Sequence, residues 1–318
     1  MKLRAPLLIL PLAASVAGTF ALLAQQVETD PDDKRPRFEV NVDMVSMSLT
    51  VFDENGKLVA DLEKKDFKVY EDGVEQELVV FSREDLPLRM IILLDTSSSM
   101  RSKMEMAQDA AIEFVQSLKP GDQIKVIEFN DRVLNLIDFT ADIDEVTAAL
   151  RTTVAEGATA LHNAIYISLQ SLSRRRQGDE RQAVVVLSDG ADTRSHLTFE
   201  DVRESARKTD VTIYAISLRG TKEDLKKNKY LEAKYVLEKL ATESGGSSFS
   251  PEQIKDLSGV YEQIATELKS QYNLGYISTN AKTDGAWRRI QVLCNRPGLE
   301  VRTRNGYYAP RRRSRPGN

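Results

Sequence analysis

The chain has one cysteine, Cys294, and two histidines, His162 and His196. One cysteine excludes any disulfide within the chain and any cysteine-rich zinc site, and two histidines are too few for a His-built one. Enzymes that rely on several histidines are excluded on the same ground. A metal held by this protein would have to be bound through oxygen. No sign of charge dominates: 44 Lys and Arg face 48 Asp and Glu, a net charge of −4, so no overall basic balance points to nucleic acid. What is present is ordinary for a folded soluble chain, with 41% hydrophobic and 29% charged residues. A length of 318 residues suggests one large domain with additions, or two to three smaller ones.

One long uncharged apolar run occurs, from Ala5 to Ala24, preceded by Lys2 and Arg4 and followed by a polar, acidic stretch. That is the layout of a secretory signal over residues 1–26, or of an N-terminal anchor if it is not cleaved. Pro6 and Pro11 weaken it as a regular spanning helix. The expectation is export, to a periplasm or beyond the cell, with membrane contact only through this segment. No cysteine lies near the junction to carry a lipid. An exported chain without disulfides takes its stability from its core and from any bound metal.

Residues 27–37 are polar and read as a linker. Residues 38–86 read as a β segment: a strand from Phe38 to Val51 with a bulge near Val45-Ser46, a turn at Asp53-Glu-Asn-Gly56, and a second hairpin that pairs Phe67–Tyr70 with Leu78–Phe81. Residues 87–270 change character. Met90–Leu94 and Ala183–Leu187 are continuous apolar runs, as in strands buried on both faces. Met104, Ala107, Ala111, Phe114, Val115 and Leu118 share one helical face, which Pro120-Gly121 ends. Further strands (124–129, 133–137, 211–218, 248–249) and helices (143–150, 161–172, 199–208, 223–242, 251–270) alternate along the segment. This predicts an α/β fold with a Rossmann-like, doubly wound, mostly parallel sheet. Residues 271–310 return to β pattern, and 311–318 form a basic tail. The α/β domain is thus inserted between two β segments that could pair into one small module.

The chemistry concentrates at strand ends. Met90–Leu94 runs into Asp95-Thr-Ser-Ser-Ser99, and Ala183–Leu187 into Ser188-Asp-Gly190. Between them lies Glu156-Gly-Ala-Thr-Ala160, a loop that opens a helix. Ligands of open parallel sheets sit beyond the carboxyl ends of the strands, so these loops can bring Asp95, Ser97, Ser99, Thr159 and Asp189 together. Two carboxylates and three hydroxyls suit a hard divalent cation: Mg²⁺, with Mn²⁺ or Ca²⁺ as alternatives. The hydroxyls add no charge, so the ion stays electrophilic and an open position favours an Asp or Glu carboxylate from a partner protein.

Asp95-Thr-Ser-Ser-Ser99 resembles the DxSxS motif of von Willebrand factor A domains. Gly157-Ala-Thr-Ala-Leu161 is similar to their threonine loop and Leu187-Ser-Asp-Gly190 to their aspartate loop, in the same order over roughly residues 88–270. The flanks resemble a bacterial group of exported A-domain proteins, through Asp66-Phe-Lys-Val-Tyr-Glu-Asp-Gly73, Tyr272-Asn-Leu-Gly-Tyr276 and Arg304-Asn-Gly-Tyr-Tyr308. The resemblance implies a metal-ion-dependent adhesion site. Ser97, Ser99 and Thr159 would contact the metal, with Asp95 and Asp189 doing so directly or through water. It also implies a binding module rather than an enzyme. His162-Asn163 departs from the family's usual Tyr-Asp at that place.

Plainer readings stand beside these. Asp95 can cap the turn that follows it, and Ser99 or Ser102 the helix start. His162 reads as a rim contact or an exposed residue, Asn130 as a rim position or a support behind the metal donors, Asp192 as a residue that orients its loop or supports the donors from behind, and His196 as a surface histidine. Tyr272, Tyr276, Trp287, Tyr307 and Tyr308 read as β-module core rather than a glycan platform. Cys294 reads as a buried packing residue. A haloacid-type phosphatase needs an acid where Ser97 stands, and a serine hydrolase needs a Gly-x-Ser-x-Gly elbow that is missing. The remaining alternative is a structural or assembly subunit of a cell envelope whose metal only stabilises the fold.

Overall fold

The computed structural model describes residues 44–83, 86–174, 180–218 and 229–311. The segments expected as signal, linker and strand start (Phe38 to Asp43), the tail beyond Arg311 and the first turn of the helix expected from 223 lie outside the described residues.

The apolar runs become the centre of the sheet. β5 (Leu88–Asp95) and β8 (Arg181–Ser188) are buried along their whole lengths. Around them the order is β10 (Ser248–Phe249), β9 (Thr212–Ser217), β8, β5, β6 (Gln123–Phe129) and β7 (Val133–Thr140). All neighbours run parallel except β7, which turns back antiparallel on β6. Alternate residues of each strand feed two cores. Met90, Ile92 and Leu94 pack with α1 (Met104–Gln116), α2 (Ile143–Arg151) and α6 (Leu257–Lys269). Ile91 and Leu93 pack with α3 (Leu161–Ser173), α4 (Phe199–Arg207) and α5 (Lys229–Ser244). Each such side chain, fully removed from water, contributes about 1.5–3 kcal/mol before entropy is counted. Both sheet faces are covered, and the loops that follow β5 and β8 leave the sheet at the end where the parallel strands stop.

The two flanking β segments do pair. β1 (Met44–Asp53) lies between β11 (Tyr272–Ile277) and β13 (Leu299–Thr303), and β4 (Leu78–Ser82) closes that sheet on the far side of β11. The other sheet runs β14 (Gly306–Tyr308), β12 (Trp287–Cys294), β2 (Phe67–Glu71), β3 (Val74–Gln76). One core joins the two sheets, with Leu49, Val51, Phe67, Val69, Tyr272, Tyr276 and Ile290 buried in it. The carboxylate of Glu71 is buried here and accepts hydroxyls from Ser278, Tyr276 and Tyr307 at 2.7, 2.8 and 3.0 Å. Tyr272 and Tyr276 are therefore core residues, while Trp287 and Tyr308 meet edge-on at the half-buried margin.

Three expectations need correction. The register of β1 on β11 runs unbroken from Met44 to Leu49, so no bulge falls at Val45-Ser46; Val45, Met47, Leu49 and Val51 simply alternate inward. Phe67–Tyr70 does not pair with Leu78–Phe81. It pairs with β3 around Asp72-Gly73, and the chain then crosses to the other sheet, where β4 pairs with β11. Two apolar runs seven residues apart look like a hairpin, but the short polar strand between them takes the pairing. Cys294 is half-buried at the core's edge.

Candidate metal centre

The site is built at the carboxyl ends of β5 and β8. Asp95, the last residue of β5, is fully buried on the face covered by α3. Its Oδ1 accepts the Ser97 amide at 2.8 Å, and its Oδ2 accepts the Ser188 hydroxyl at 2.5 Å. The expected turn-capping role is thus real, but the same carboxylate also ties β5 to β8. The chain after Asp95 makes a tight 3₁₀ turn at Ser98–Met100. That turn sets Ser97 Oγ 3.0 Å from Ser99 Oγ, and Ser99 donates to Asp189 Oδ1 at 2.6 Å. Neither Ser99 nor Ser102 caps α1: its N-cap is Lys103, with no side-chain cap.

The threonine loop is held in place from two sides. The Glu156 amide donates to Thr96 O at 2.7 Å and the Ser98 amide to Gly157 O at 3.1 Å. From the β6–β7 turn, Asn130 O accepts the Ala160 amide at 2.8 Å and Asp131 Oδ1 the Ala158 amide at 3.1 Å. Gly157 has φ of +75°, and a Cβ there would stand 2.6 Å from Asp131 Oδ2. Only glycine fits this backbone without strain. Thr159 O in turn accepts the amides of Thr193 and Arg194 at 2.9 and 3.1 Å, which locks the aspartate loop against it. Across the gap, a Cβ built on Gly190 would lie 3.7 Å from Thr159 Oγ1 and 4.0 Å from Ser99 Oγ. The three loops therefore converge, and Asp95, Ser97, Ser99, Thr159 and Asp189 are brought together.

The other expected positions form a supporting layer. Asp192 accepts the His162 amide at 2.8 Å and the Ser195 amide at 3.0 Å, so it fastens the aspartate loop to the first turn of α3. A carboxylate there also meets the positive end of the helix. His162 is half-buried, with Nδ1 3.1 Å from Leu197 O. Asn130 accepts the Arg132 amide at 3.0 Å and shapes its own turn, and His196 is exposed. Sequence reasoning missed two residues. Ser188 partners Asp95; the signal was its place opposite Asp95 at the end of the neighbouring strand. Lys103 places its ammonium on Asp189 Oδ2. Its only signal was a cation a turn beyond Ser99, two residues after Arg101.

Burial of two carboxylates shapes the electrostatics. Burial raises the Asp95 pKa to about 6; the Ser188 and Ser97 hydrogen bonds oppose the rise and the Asp189 charge adds to it. Against two acids the cluster sets one ammonium. The donor set is all oxygen, carries two carboxylates, and already draws a cation to Asp189. These properties fit a hard divalent ion, which favours oxygen ligands and few charged ones. Among the described residues no three His, Cys, Asp or Glu side chains form a group that could hold a metal ion, so any ion here would depend on the serine and threonine hydroxyls beside the two carboxylates.

A family model for the von Willebrand factor type A domain matches residues 90–191. The chain is 25% identical to a UPF0353 protein of Mycobacterium marinum over 227 residues, 64% of this chain and 65% of that protein. It is 23% identical to inter-alpha-trypsin inhibitor heavy chain H4 of Bos taurus over 215 residues, 62% of this chain but 22% of the relative. The match thus spans just under two thirds of the mycobacterial protein and a fifth of the bovine one. Among solved structures, a von Willebrand factor type A protein of Catenulispora acidiphila superposes with a TM-score of 0.50 at 12% identity, over 86% of this chain and 76% of that one. The matched segment holds most of β5, all of β8 and the Asp95 and Asp189 loops, so the likeness to von Willebrand factor type A domains covers the part of the chain that builds the site.

Proposed function

We propose that this protein is a metal-dependent protein-binding module of an exported bacterial protein. Asp95, Ser97, Ser99, Thr159 and Asp189 would hold Mg²⁺, with Mn²⁺ or Ca²⁺ as substitutes, and a carboxylate of a partner protein would complete the ion's coordination. The observation that carries the reading is the convergence of three hydroxyls and two carboxylates, from three separate loops, at the open end of the sheet. When bound, the ion supplies an electrophilic position for an anionic oxygen. The chain's own part is to position the donors. Ser188 and the Ser97 amide fix the Asp95 carboxylate, and Asp131 and Gly157 fix the loop that carries Thr159.

A binding rather than catalytic role is supported by the histidines. His162 is engaged with Leu197 O, and His196 is exposed on the loop beyond Asp192. The Ser97 and Ser99 hydroxyls contact each other and Asp189 instead of a base of that kind. Export rests on the run from Ala5 to Ala24. No helix among the described residues is long and apolar enough to cross a membrane.

Water-proton relaxation with Mn²⁺ tests the reading. Bound Mn²⁺ should enhance relaxation in the wild type and not in Asp95→Ala. A short peptide with one Asp or Glu should then lower the enhancement by displacing metal-bound water, where the same peptide with Asn or Gln does not. Enhancement that no carboxylate changes would leave a purely stabilising metal. No enhancement at all would remove the metal from the account.

A further inference from the structure

We propose that Lys103 is a tethered competitor for the cation: its ammonium occupies Asp189 until a divalent ion displaces it, so this one side chain sets the affinity of the site. The inference rests on the metal-binding reading above and adds to it a residue outside the donor set.

Both oxygens of Asp189 are engaged by the chain itself. Oδ1 accepts the Ser99 hydroxyl at 2.6 Å, and Oδ2 is held by the Lys103 ammonium. The Asp189 side chain is wholly buried, whereas that of Lys103 keeps 17% of its surface exposed. Of the pair, then, the lysine is the member with a way out to solvent. Its backbone is fixed at the start of α1, where its amide donates to Met100 O at 2.8 Å and its carbonyl accepts the Ala107 amide at 2.9 Å. Displacement therefore needs only rotation of a flexible four-carbon stem, with no movement of the helix. Asp189 is the ion-pair partner found for Lys103 among the described residues, so no second acid there holds the ammonium in place.

Charge makes the two occupants exclusive. A divalent ion bound through Asp189 would lie within a few ångströms of an ammonium on the same carboxylate, in a pocket with little water to screen them. The ammonium must leave, or the ion binds against its repulsion. In either case metal binding is opposed by the lysine's own attraction to Asp189. Without metal the lysine is useful, because it offsets one of two buried carboxylates. The same contact thus stabilises the metal-free protein and weakens the metal complex.

Calorimetric titration of the full chain with Mn²⁺ and with Mg²⁺ tests this, comparing wild type, Lys103→Met, Lys103→Gln and Lys103→Arg. Met and Gln keep a stem of similar length without the charge, and Arg keeps the charge. The two neutral variants should bind about tenfold tighter or more, a change typical of removing one nearby repulsive charge. Lys103→Arg should stay near wild type. In chelator the neutral variants should melt below wild type, and saturating Mn²⁺ should close that gap. Equal or weaker binding by both neutral variants overturns the proposal. So does a melting deficit that is the same with and without Mn²⁺, which would make the lysine structural only. If no variant binds either ion, the metal-binding reading itself is overturned.

Discussion

Replacing Asp95 with asparagine should make the metal-free protein more stable at neutral pH while removing its response to metal. The buried carboxyl has a pKa raised to about 6 against an ordinary 3.8, with burial the main cause. A carboxyl with a raised folded pKa keeps its proton in the folded state after the unfolded chain has released its own. Between about pH 4 and pH 6 the unfolded state therefore binds fewer protons, and stability falls as the pH rises. Above that window the full cost of an ionised Asp95 is present. Two units at 1.36 kcal/mol each put it at about 3 kcal/mol, as an order of magnitude. Asparagine carries no such cost. Its oxygen can still accept the Ser97 amide, and its amide can donate to Ser188 Oγ, which is free to turn its proton toward Gly190 O at 3.3 Å. Urea unfolding of wild type and Asp95→Asn in chelator, from pH 4 to pH 8, should give equal stabilities at the acid end. Toward pH 7 the variant should become more stable by up to about 3 kcal/mol. Adding Mg²⁺ at pH 7.5 should raise the wild type only. A variant that tracks the wild type at every pH in chelator would refute the argument that Asp95 is held ionised at a cost.

Gly157→Ala should lower stability by about 1–3 kcal/mol and weaken Mn²⁺ binding in titration, because its positive φ and the nearby Asp131 carboxylate both reject a Cβ on the loop that positions Thr159. At Glu243 burial pulls the carboxyl up, but Arg203 and Arg207 outweigh it and hold its pKa below the ordinary 4.5. The Glu243 carboxylate and its two arginines contribute stability above this value that is lost as the pH falls, so Glu243→Gln should destabilise the protein in urea unfolding at pH 7 and progressively less toward pH 3. Gly245→Ala should loosen the β module from the α/β domain. The residue has φ of +85° and a Cβ there would stand 2.7 Å from Arg304 N, so faster limited proteolysis after Thr303 or Arg304 is expected.

Much of this architecture can be read from residues alone, for identifiable reasons. Leu88–Asp95 and Arg181–Ser188 announce themselves because strands buried on both faces need unbroken apolar runs, and only a covered parallel sheet provides that environment. Once those strands are placed, Asp95 and Asp189 must emerge at the same sheet edge. The convergence of Thr159 follows from the loop order. What could not be read depended on partners distant in sequence. The β4 strand pairs with β11, some 190 residues away, and nothing local distinguishes that from pairing with β2. The role of Asp192 at the start of α3 and the contact of Lys103 with Asp189 are side-chain choices made after the backbone is in place. A lysine at a helix start looks like any solvated cation until the buried carboxylate beneath it is seen.

The central claim is that the Asp95 and Asp189 loops form a working cation site. Its most direct test is thermal melting of the purified protein in chelator, Mg²⁺, Mn²⁺ and Ca²⁺, with Asp95→Ala and Thr159→Ala alongside. An ion that binds only the folded state raises its stability in proportion to the logarithm of its concentration over the dissociation constant. The account predicts a metal-dependent rise in melting temperature for the wild type, lost in Asp95→Ala and reduced in Thr159→Ala. Identical melting in all four conditions, or a rise that both variants share in full, would contradict it.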